Sequence, residues 1–349
     1  MNVGSKVLLR APPEYKGGMG MVIAEADTIT GLCAVKTGAD GSVVMVEAAD
    51  LIEISLLDKL FELQRAFDWR GVAALHEQAC EAAHAIRSVQ PLAADFVFNT
   101  LGRAYQNLGE LTRSHDMHVQ CLEITREVGN RAGEGGVYGN IGNVYQSLGK
   151  FSDALDMHTK HLEVALEVGN RAGEGVAYGN IGRAHDALGR YSEAMDMHRK
   201  HLAIAQEVGD RQGEGRAYGN LGVTYQALGR YAESSEMQVK RLAIAQEMGD
   251  QMAEGMAYGS LGNLHQLLSR YQEAVDMYQK LLAICQETGD RQSEGGALGN
   301  LGNTFVSWGR YIEAIDMCSK HLAIAQEIGD RHGEGGAFGN LGNAYYCLG

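Results

Sequence analysis

A period of 40 residues runs through most of this 349-residue chain and constrains its fold more than any other feature. From Arg131 onward, the hexapeptide Tyr138 to Asn143 returns at every fortieth position with one or two substitutions, and its copies begin at Tyr178, Tyr218, Tyr258, Leu298 and Phe338. A fixed period of this length is typical of a solenoid or a propeller, in which neighbouring units bury a continuous core between them.

The apolar spacing inside each unit is helical. In the first half of one unit, Val137, Ile141 and Tyr145 recur every four residues, and Ala154, His158, Leu162 and Ala165 repeat this pattern in the second half. Spacings of three and four residues place side chains on one face of a helix. Each unit is therefore predicted to hold two antiparallel helices, and the chain from residue 51 onward is predicted to be an all-α, helix-turn-helix solenoid.

Glycine and capping residues punctuate the units at the expected places. A glycine stands where the first helix should end in four units, at Gly149, Gly189, Gly229 and Gly309, and Ser269 is the exception. Between units, a glycine is followed by asparagine or aspartate, as in Gly169-Asn170 and Gly209-Asp210. Glycine readily adopts the left-handed conformation that ends a helix, and Asn and Asp cap the start of the next helix.

The period divides the chain into three parts. Residues 91–349 are predicted to be tandem 40-residue repeats, residues 51–90 a degenerate repeat, and residues 1–50 a separate small domain. The last repeat is incomplete, because residues 331–349 supply only a first helix. Terminal repeats normally present a polar cap. This ending favours a truncated product, and an uncapped C-terminal helix also allows self-association.

Residues 1–50 contain short segments rich in Val, Leu and Met that are predicted to be strands. The four predicted strands are Lys6–Arg10, Gly20–Ala26, Leu32–Lys36 and Ser42–Glu47. Asp40-Gly41 is a hairpin signal between the last two, and a glycine-rich loop at residues 16–20 precedes the second. The small size favours an SH3-like β barrel.

Charge and cysteine usage limit the classes of partner. The net charge of −14 opposes binding to phosphate backbones and anionic lipid and mildly favours basic protein partners. Nucleic acid is therefore not expected as a partner. No apolar run approaches the ~20 residues of a membrane span, so membrane insertion is not expected either. The six cysteines form no C-x-x-C pair, and no secretory leader precedes them. We therefore expect a cytoplasmic protein.

Several phrases of the repeat resemble the tetratricopeptide repeats of the LGN/Pins scaffold proteins. They are Asp156 to Leu162 with its copy Asp316 to Leu322, the Gly209-Asp210-Arg211 junction, and Asn300 to Asn303. The resemblance covers roughly residues 91–349 and implies a right-handed superhelix whose concave groove takes a segment of a partner protein. In that family the scaffold links cortical G-protein signalling to spindle orientation. Of the arginines on which that family's groove relies, only Arg216 has a counterpart here.

Amide side chains flank the repeated glycines and form two rows, which are the candidate partner-binding site. The first row is Asn140, Asn180, Asn220, Asn300 and Asn340, with Ser260 as the break, and the second is Asn143, Asn263, Asn303 and Asn343. An Asn side chain can donate to and accept from a peptide backbone at once. Variable positions beside the rows, such as Arg183, would then select the sequence of the partner. The alternative is that the amides and the glycines serve only helix packing.

No set of residues indicates catalysis or a cofactor. His158 with His161, and His198 with His201, have a spacing that could hold a metal, but a third ligand is missing and the pairs recur in register with Leu162 and Leu202. The Gly173-Glu174-Gly175 segment lacks the lysine of a phosphate-binding loop. We therefore expect a protein or peptide partner, no cofactor, no metal and no enzymatic activity.

Overall fold

The computed structural model describes residues 59–88 and 91–349 with their side chains, and it describes the backbone of four strands nearer the N-terminus. The chain divides into two compact units, residues 1–148 and residues 149–349. Each unit is described by itself below.

Four short strands pair in chain order in the N-terminal part of the first unit. They are β1 (Val7–Leu9), β2 (Val22–Ala26), β3 (Leu32–Thr37) and β4 (Ser42–Glu47). Each strand pairs antiparallel with the next, with Leu8 opposite Ile23 and Thr37 opposite Ser42. The glycine-rich loop at residues 16–20 and the Asp40-Gly41 turn lie outside the described residues. The SH3-like barrel therefore stays a prediction.

Helices make up most of the described residues of the first unit from residue 59 onward. They span residues 59–65, Trp69–Ala74, His76–Ile86, Pro91–Asn107, Leu111–Glu127 and Arg131–Ser147. Phe98, Leu101, Tyr105 and Ile124 are almost completely buried and form much of the core of the complete repeat that starts at Pro91. Residues 51–58 and 89–90, which begin and end the predicted degenerate repeat, lie outside the described residues.

The second unit is an all-helical array of repeats. Its first helices are Arg171–Ala187, Arg211–Ala227, Gln251–Leu267, Arg291–Trp308 and Arg331–Leu348, and its second helices are Phe151–Glu167, Tyr191–Val208, Tyr231–Met248, Tyr271–Thr288 and Tyr311–Ile328. Helices that follow one another in the chain pack against one another throughout the unit. Their shared core is built largely from small residues such as Ala194, Ala217 and Ala274, which let the helices approach closely.

The caps that the sequence predicts are confirmed. Gly149, Gly189, Gly229 and Gly309 have φ between 70° and 80°, and Ser269 adopts φ 56° in their place. The side chains of Asn170 and Asp210 accept hydrogen bonds from the backbone N–H groups of Gly173 and Gly213 at 3.0 and 2.8 Å. Each junction thus satisfies backbone groups that the helix itself leaves unpaired.

The repeated glycines of the first helices make room for side chains of the second helix in the same repeat. A Cβ on Gly102 would lie 2.6 Å from the His118 ring, and one on Gly262 would lie 2.6 Å from the Tyr278 ring. In the same register, His198 lies over Gly182, Gln238 over Gly222 and Cys318 over Gly302. At these positions the close neighbour is therefore a side chain of the chain's own second helix. The packing interpretation of these glycines is confirmed.

One buried polar network joins three helices of the second unit. The His198 ring is fully buried, and its Nε2 lies 2.9 Å from Asp186 Oδ2. The Thr224 hydroxyl donates to the same carboxylate at 2.9 Å. Asp186 and His198 belong to the helices of one repeat, whereas Thr224 belongs to the first helix of the next. The network therefore links consecutive repeats, and a hydrogen bond to a charged acceptor contributes more than a neutral one.

Replacing Thr224 with valine is expected to lower the free energy of unfolding by about 1–2 kcal/mol, because the substitution removes a hydrogen bond to a partly buried carboxylate. Thr304 is the matched control, since it is equally buried but bonds only the backbone oxygen of Asn300 in its own helix. Urea unfolding followed by circular dichroism measures both. An equal loss for Thr224→Val and Thr304→Val would show that the Asp186 contact does not stabilise the array.

The last helix leaves part of its apolar side open. Phe338 is 57% exposed, whereas Tyr258 at the same repeat position is 8% exposed because the second helix of its own repeat covers it. Tyr345 and Tyr346 are exposed as well. Separately, none of the helices in the described part of the chain has the length and apolar character that crossing a membrane requires.

Candidate functional site

The first helices of the second unit share a face that their own repeats do not cover, and we call it the first-helix face. It is made by three positions of each repeat, namely Val176, Asn180, Arg183; Arg216, Asn220, Val223; Met256, Ser260, Asn263; Gly296, Asn300, Asn303; and Gly336, Asn340, Asn343. The middle position of each set is half-buried and the other two are exposed. Contacts join the first helices that start at Arg171, Arg211 and Gln251, and likewise those that start at Arg291 and Arg331, so the sets within each group are neighbours.

Some of the predicted amides have partners within the protein. Asn180 Oδ1 accepts a hydrogen bond from Arg183 at 2.9 Å, and Asn263 Oδ1 accepts one from the Tyr278 hydroxyl at 2.5 Å. In the first unit, Asn140 donates to Asn99 Oδ1 at 3.1 Å. Asn263 therefore supports a buried tyrosine of its own repeat, and its structural role accounts for it.

The other predicted amides keep their hydrogen-bonding capacity. Within residues 59–88 and 91–349, no side-chain hydrogen bond is made by Asn143 in the first unit or, in the second, by Asn220, Asn300, Asn303, Asn340 and Asn343. The second-unit residues among them all lie on the first-helix face. The structure thus brings five free amides to one surface, where each can both donate and accept.

Positive charges gather at one end of the same face. Arg183 has a lowered pKa, first because the surrounding protein desolvates its guanidinium and then because Arg216 is close. The buried His201 has its pKa lowered to about 4, mainly by burial, with His198 and Arg216 adding to the effect and Asp210 opposing it. Mutual repulsion of this kind means that cations of neighbouring repeats share one small region.

Arg241 extends this region from a second helix and was not predicted as a site residue. It occupies the position held by His201, Leu281 and His321 in other repeats, which lies beside the first-helix glycine; a Cβ on Gly219 would lie 3.1 Å from Arg241 Cδ. Burial lowers the pKa of Arg241, and the Asp250 carboxylate partly offsets this. The signal in the sequence was the change from histidine to arginine at this position.

A pocket of about 170 Å³ opens between Arg216 and Arg241. Its remaining walls are mainly apolar and include Ile244, Met248, Met252 and Met256. Met252 and Met256 are 77% and 56% exposed, which is unusual for large apolar side chains. The pocket therefore combines two cations with a flexible apolar wall on the first-helix face.

Histidines of the second helices have structural surroundings. His198 is bonded to Asp186, and the rings of His201 and His321 lie over Gly179 and Gly299. Across the residues whose side chains are described, no group of three or more His, Cys, Asp or Glu side chains has an arrangement that could hold a metal ion.

Comparison with known families gives one result that spans most of the chain. The model of the family described as tetratricopeptide repeat matches residues 92–167, 135–207, 176–247, 213–287 and 253–317, which overlap to cover residues 92–317. No curated protein matches the sequence.

Solved structures of the same fold come from proteins of low sequence identity. A Rap protein complexed with Competence and Sporulation Factor superposes with a TM-score of 0.60 at 15% identity, over 86% of this chain and 88% of that protein. A signal transduction ATPase with a tetratricopeptide repeat sensor from Pyrococcus horikoshii gives 0.58 at 14% identity, over 86% of this chain and 50% of that one. BtubC from P. vanneervenii gives 0.55 at 18% identity, over 63% and 92%. These likenesses concern the fold.

Proposed function

The chain belongs to the tetratricopeptide repeat family, and from this premise we propose that it is a protein-interaction scaffold that binds a partner polypeptide along the first-helix face. The observation that carries the proposal is the set of free amides at two equivalent repeat positions: Asn220, Asn300 and Asn340 at the first, and Asn303 and Asn343 at the second. The fold itself is typical of interaction scaffolds and regulators.

The spacing of these amides suits a polypeptide partner. The repeats that start at Arg291 and Arg331 present free amides at both positions, so a chain lying across their first helices meets a recurring pair of groups that matches its own backbone N–H and C=O. Each such bond contributes roughly 1 kcal/mol net. The variable residues of the face, Val176, Arg216, Val223 and Met256, then decide which sequence binds best.

The structural comparisons support a binding role at the level of the fold. The Rap protein, which shares the helical array, was crystallised with Competence and Sporulation Factor. A fold that hosts many functions does not transfer a partner from one member to another. The partner of this chain is therefore to be sought from its own surface chemistry.

A second candidate function is a recruiting or regulatory module of a larger signalling protein, of the G-protein or cell-polarity kind that the LGN/Pins resemblance implies. The supporting observation is that this fold occurs as the sensor of a larger ATPase, where the match covers 50% of that chain. The two candidates share the binding face and differ in what is attached to it. A longer transcript encoding an effector region after Gly349 would favour the second candidate.

Three further expectations belong to the same proposal. We place the protein in the cytoplasm, assign an SH3-like barrel to residues 1–50, and assign self-association to the exposed side of the last helix, Arg331–Leu348. Phe338, Tyr345 and Tyr346 supply an apolar surface for the last of these. Light scattering over a range of protein concentrations distinguishes a monomer from a dimer formed through this helix.

The double substitution Asn220→Ala and Asn300→Ala is expected to weaken peptide binding about tenfold, because it removes two side chains that bond nothing else in the described protein. The probe is a peptide selected from a random 12-residue phage library on the full chain, and its affinity is measured by fluorescence anisotropy. Thermal stability should change little.

Asn263→Ala is the control for this measurement, since Asn263 is an amide of the second row, on the same face, that accepts from Tyr278. We expect it to lower stability rather than affinity. If the double variant binds the selected peptides as tightly as the unchanged chain does, the first-helix face is not the binding surface and the proposal is wrong.

A further inference from the structure

We infer that the first-helix face binds an acidic polypeptide segment, with a carboxylate side chain of the partner held between Arg216 and Arg241 and an apolar side chain beside it seated on the methionine wall of the same pocket. This inference rests on the proposed function and names the chemistry of the partner. It concerns the face of the repeats that start at Arg171, Arg211 and Gln251.

The first support is that three arginines converge without an ion-pair partner. Among residues 59–88 and 91–349, no carboxylate lies within ion-pair distance of Arg183, Arg216 or Arg241; Arg183 bonds the amide oxygen of Asn180, Arg216 bonds that of Gln212 at 2.5 Å, and Arg241 lies 3.0 Å from the sulfur of Met256. Amide and thioether acceptors do not neutralise a guanidinium.

The arginines of the repeat junctions, in contrast, are ion-paired. Arg171 contacts Glu174 at 2.5 Å and Glu207 at 2.7 Å, and Arg211 and Arg291 form the same double ion pairs. The chain has 44 acidic residues, so carboxylates are plentiful. None in the described residues forms an ion pair with the three face arginines, which leaves these cations available for an external anion.

Repulsion among the cations of this region also favours binding of an anion. Arg216 and Arg183 repel one another, and both oppose protonation of His201. The acidic groups that face the cluster are Asp210 and Asp250; Asp250 is engaged as a helix cap, accepting from the backbone N–H of Ala253 at 3.0 Å. Binding a carboxylate here relieves the repulsion, and a guanidinium can hold it with two parallel hydrogen bonds.

The apolar wall of the pocket favours a polypeptide over other anions. Ile244, Met248, Met252 and Met256 surround the two arginines with flexible apolar surface, which suits an aliphatic side chain next to the carboxylate. A nucleic acid would meet the same wall and a protein of net charge −14. The local charge of the face is thus opposite to that of the whole chain, and the expectation of a basic partner from net charge does not apply to this surface.

The inference can be tested by substitutions with residues that occur at the same position of other repeats, because these residues are compatible with the fold. Arg183→Asn, Arg216→Met and Arg241→Leu each introduce the residue that the chain carries at the same position of another repeat, at Asn263, Met256 and Leu281. Arg199→Gln is the matched control, because it removes one positive charge from an exposed arginine that pairs with Asp196 on a second helix.

The measurement starts from a random 12-residue phage library selected on the full chain, followed by anisotropy with the labelled selected peptides. We expect enriched sequences to place Glu or Asp beside Leu, Ile, Met or Val, and binding to weaken at least tenfold in the Arg216→Met, Arg241→Leu double variant but less than twofold in Arg199→Gln. Changing the peptide's Glu to Gln should cause a similar loss, and added salt should weaken binding of the unchanged pair.

Other outcomes overturn the inference. Enriched peptides that lack acidic residues yet lose affinity on Asn220→Ala with Asn300→Ala would leave the scaffold function standing and refute the acidic partner. If acidic peptides bind the arginine variants with unchanged affinity, their binding site lies elsewhere and the inference is wrong. A 12-nucleotide single-stranded DNA that binds more tightly than any selected peptide and depends on the same arginines would show that the face binds nucleic acid. That result would refute the polypeptide partner. A library that yields no enriched sequence would refute both proposals.

Discussion

Acidification from pH 7 to pH 4 is expected to lower the free energy of unfolding by about 3 kcal/mol for each deeply buried histidine whose pKa in the folded protein is about 4. A buried histidine with a still lower pKa should have a similar effect over this pH range. Burial lowers the pKa of His118 and of His201 to about 4 and that of His158 to about 3, against an ordinary value of 6.5. Both ring nitrogens of His118 and of His158 are buried and bond no other group in the described residues. Their charged forms are therefore strongly disfavoured in the folded protein.

The sign follows from which state binds more protons. Between pH 6.5 and the folded pKa, the unfolded chain protonates these histidines and the folded chain does not, so stability falls as the pH falls. Above pH 6.5 the contribution is constant, and below the folded pKa it levels off. The gap between 6.5 and about 4, at 1.36 kcal/mol per unit, gives the stated ~3 kcal/mol for one such group.

Exchanging residues within one repeat position isolates this effect from the titration of carboxylates. His118→Gln introduces the residue that Gln238 supplies in another repeat, and it should reduce the fall in stability between pH 7 and pH 4 by about 3 kcal/mol. Gln238→His should increase it. Urea unfolding at several pH values measures both, and stability curves that stay parallel to that of the unchanged chain would contradict the prediction.

Gly262→Ala is expected to destabilise the protein by about 2 kcal/mol, although alanine favours a helix by ~1 kcal/mol over glycine. The new Cβ would lie 2.6 Å from the Tyr278 ring, which is fully buried and tied through its hydroxyl to Asn263. The whole ring must move to accept the methyl group, so the overpacking cost exceeds the gain in helix propensity.

Gly259→Ala is the control, because it lies three residues earlier in the same helix and its Cβ would meet only Leu281 Cδ2, at an ordinary 3.5 Å. It should be neutral or stabilising by up to about 1 kcal/mol. Thermal and urea unfolding measure the two variants side by side. Equal effects would show that the contact between Gly262 and Tyr278 does not limit what can stand at this position.

The fold was predictable because its signals are local and repeated many times. Gly149 and its copies mark helix ends, Asn170 and Asp210 mark helix starts, and the apolar spacing sets the face of each helix. These features act within a few residues of chain, where propensity and capping chemistry apply directly. Ser269 shows that a missing glycine need not break the pattern, since it takes the same positive φ.

The candidate site was only partly predictable, because it depends on contacts between residues distant in the chain. Asn220 and Asn263 look alike in the sequence, and only the Tyr278 hydroxyl, 15 residues away, separates a free amide from a structural one. Likewise, Arg241 reaches the first-helix face from a second helix, over Gly219. The crossing of two helices determines which side chain lies over each glycine. The 40-residue period of the sequence does not by itself specify that crossing.

The closeness of Gly262 to Tyr278, and of Gly182 to His198, means that each of these contacts lies within one 40-residue segment. Duplication or loss of a whole segment therefore preserves every such contact. Two things then change: the order in which Arg216, Met256 and their counterparts follow one another along the first-helix face, and contacts between repeats such as that of Thr224 with Asp186. Gene-level slippage by one period can thus rewrite binding preference in a single step while leaving foldability intact.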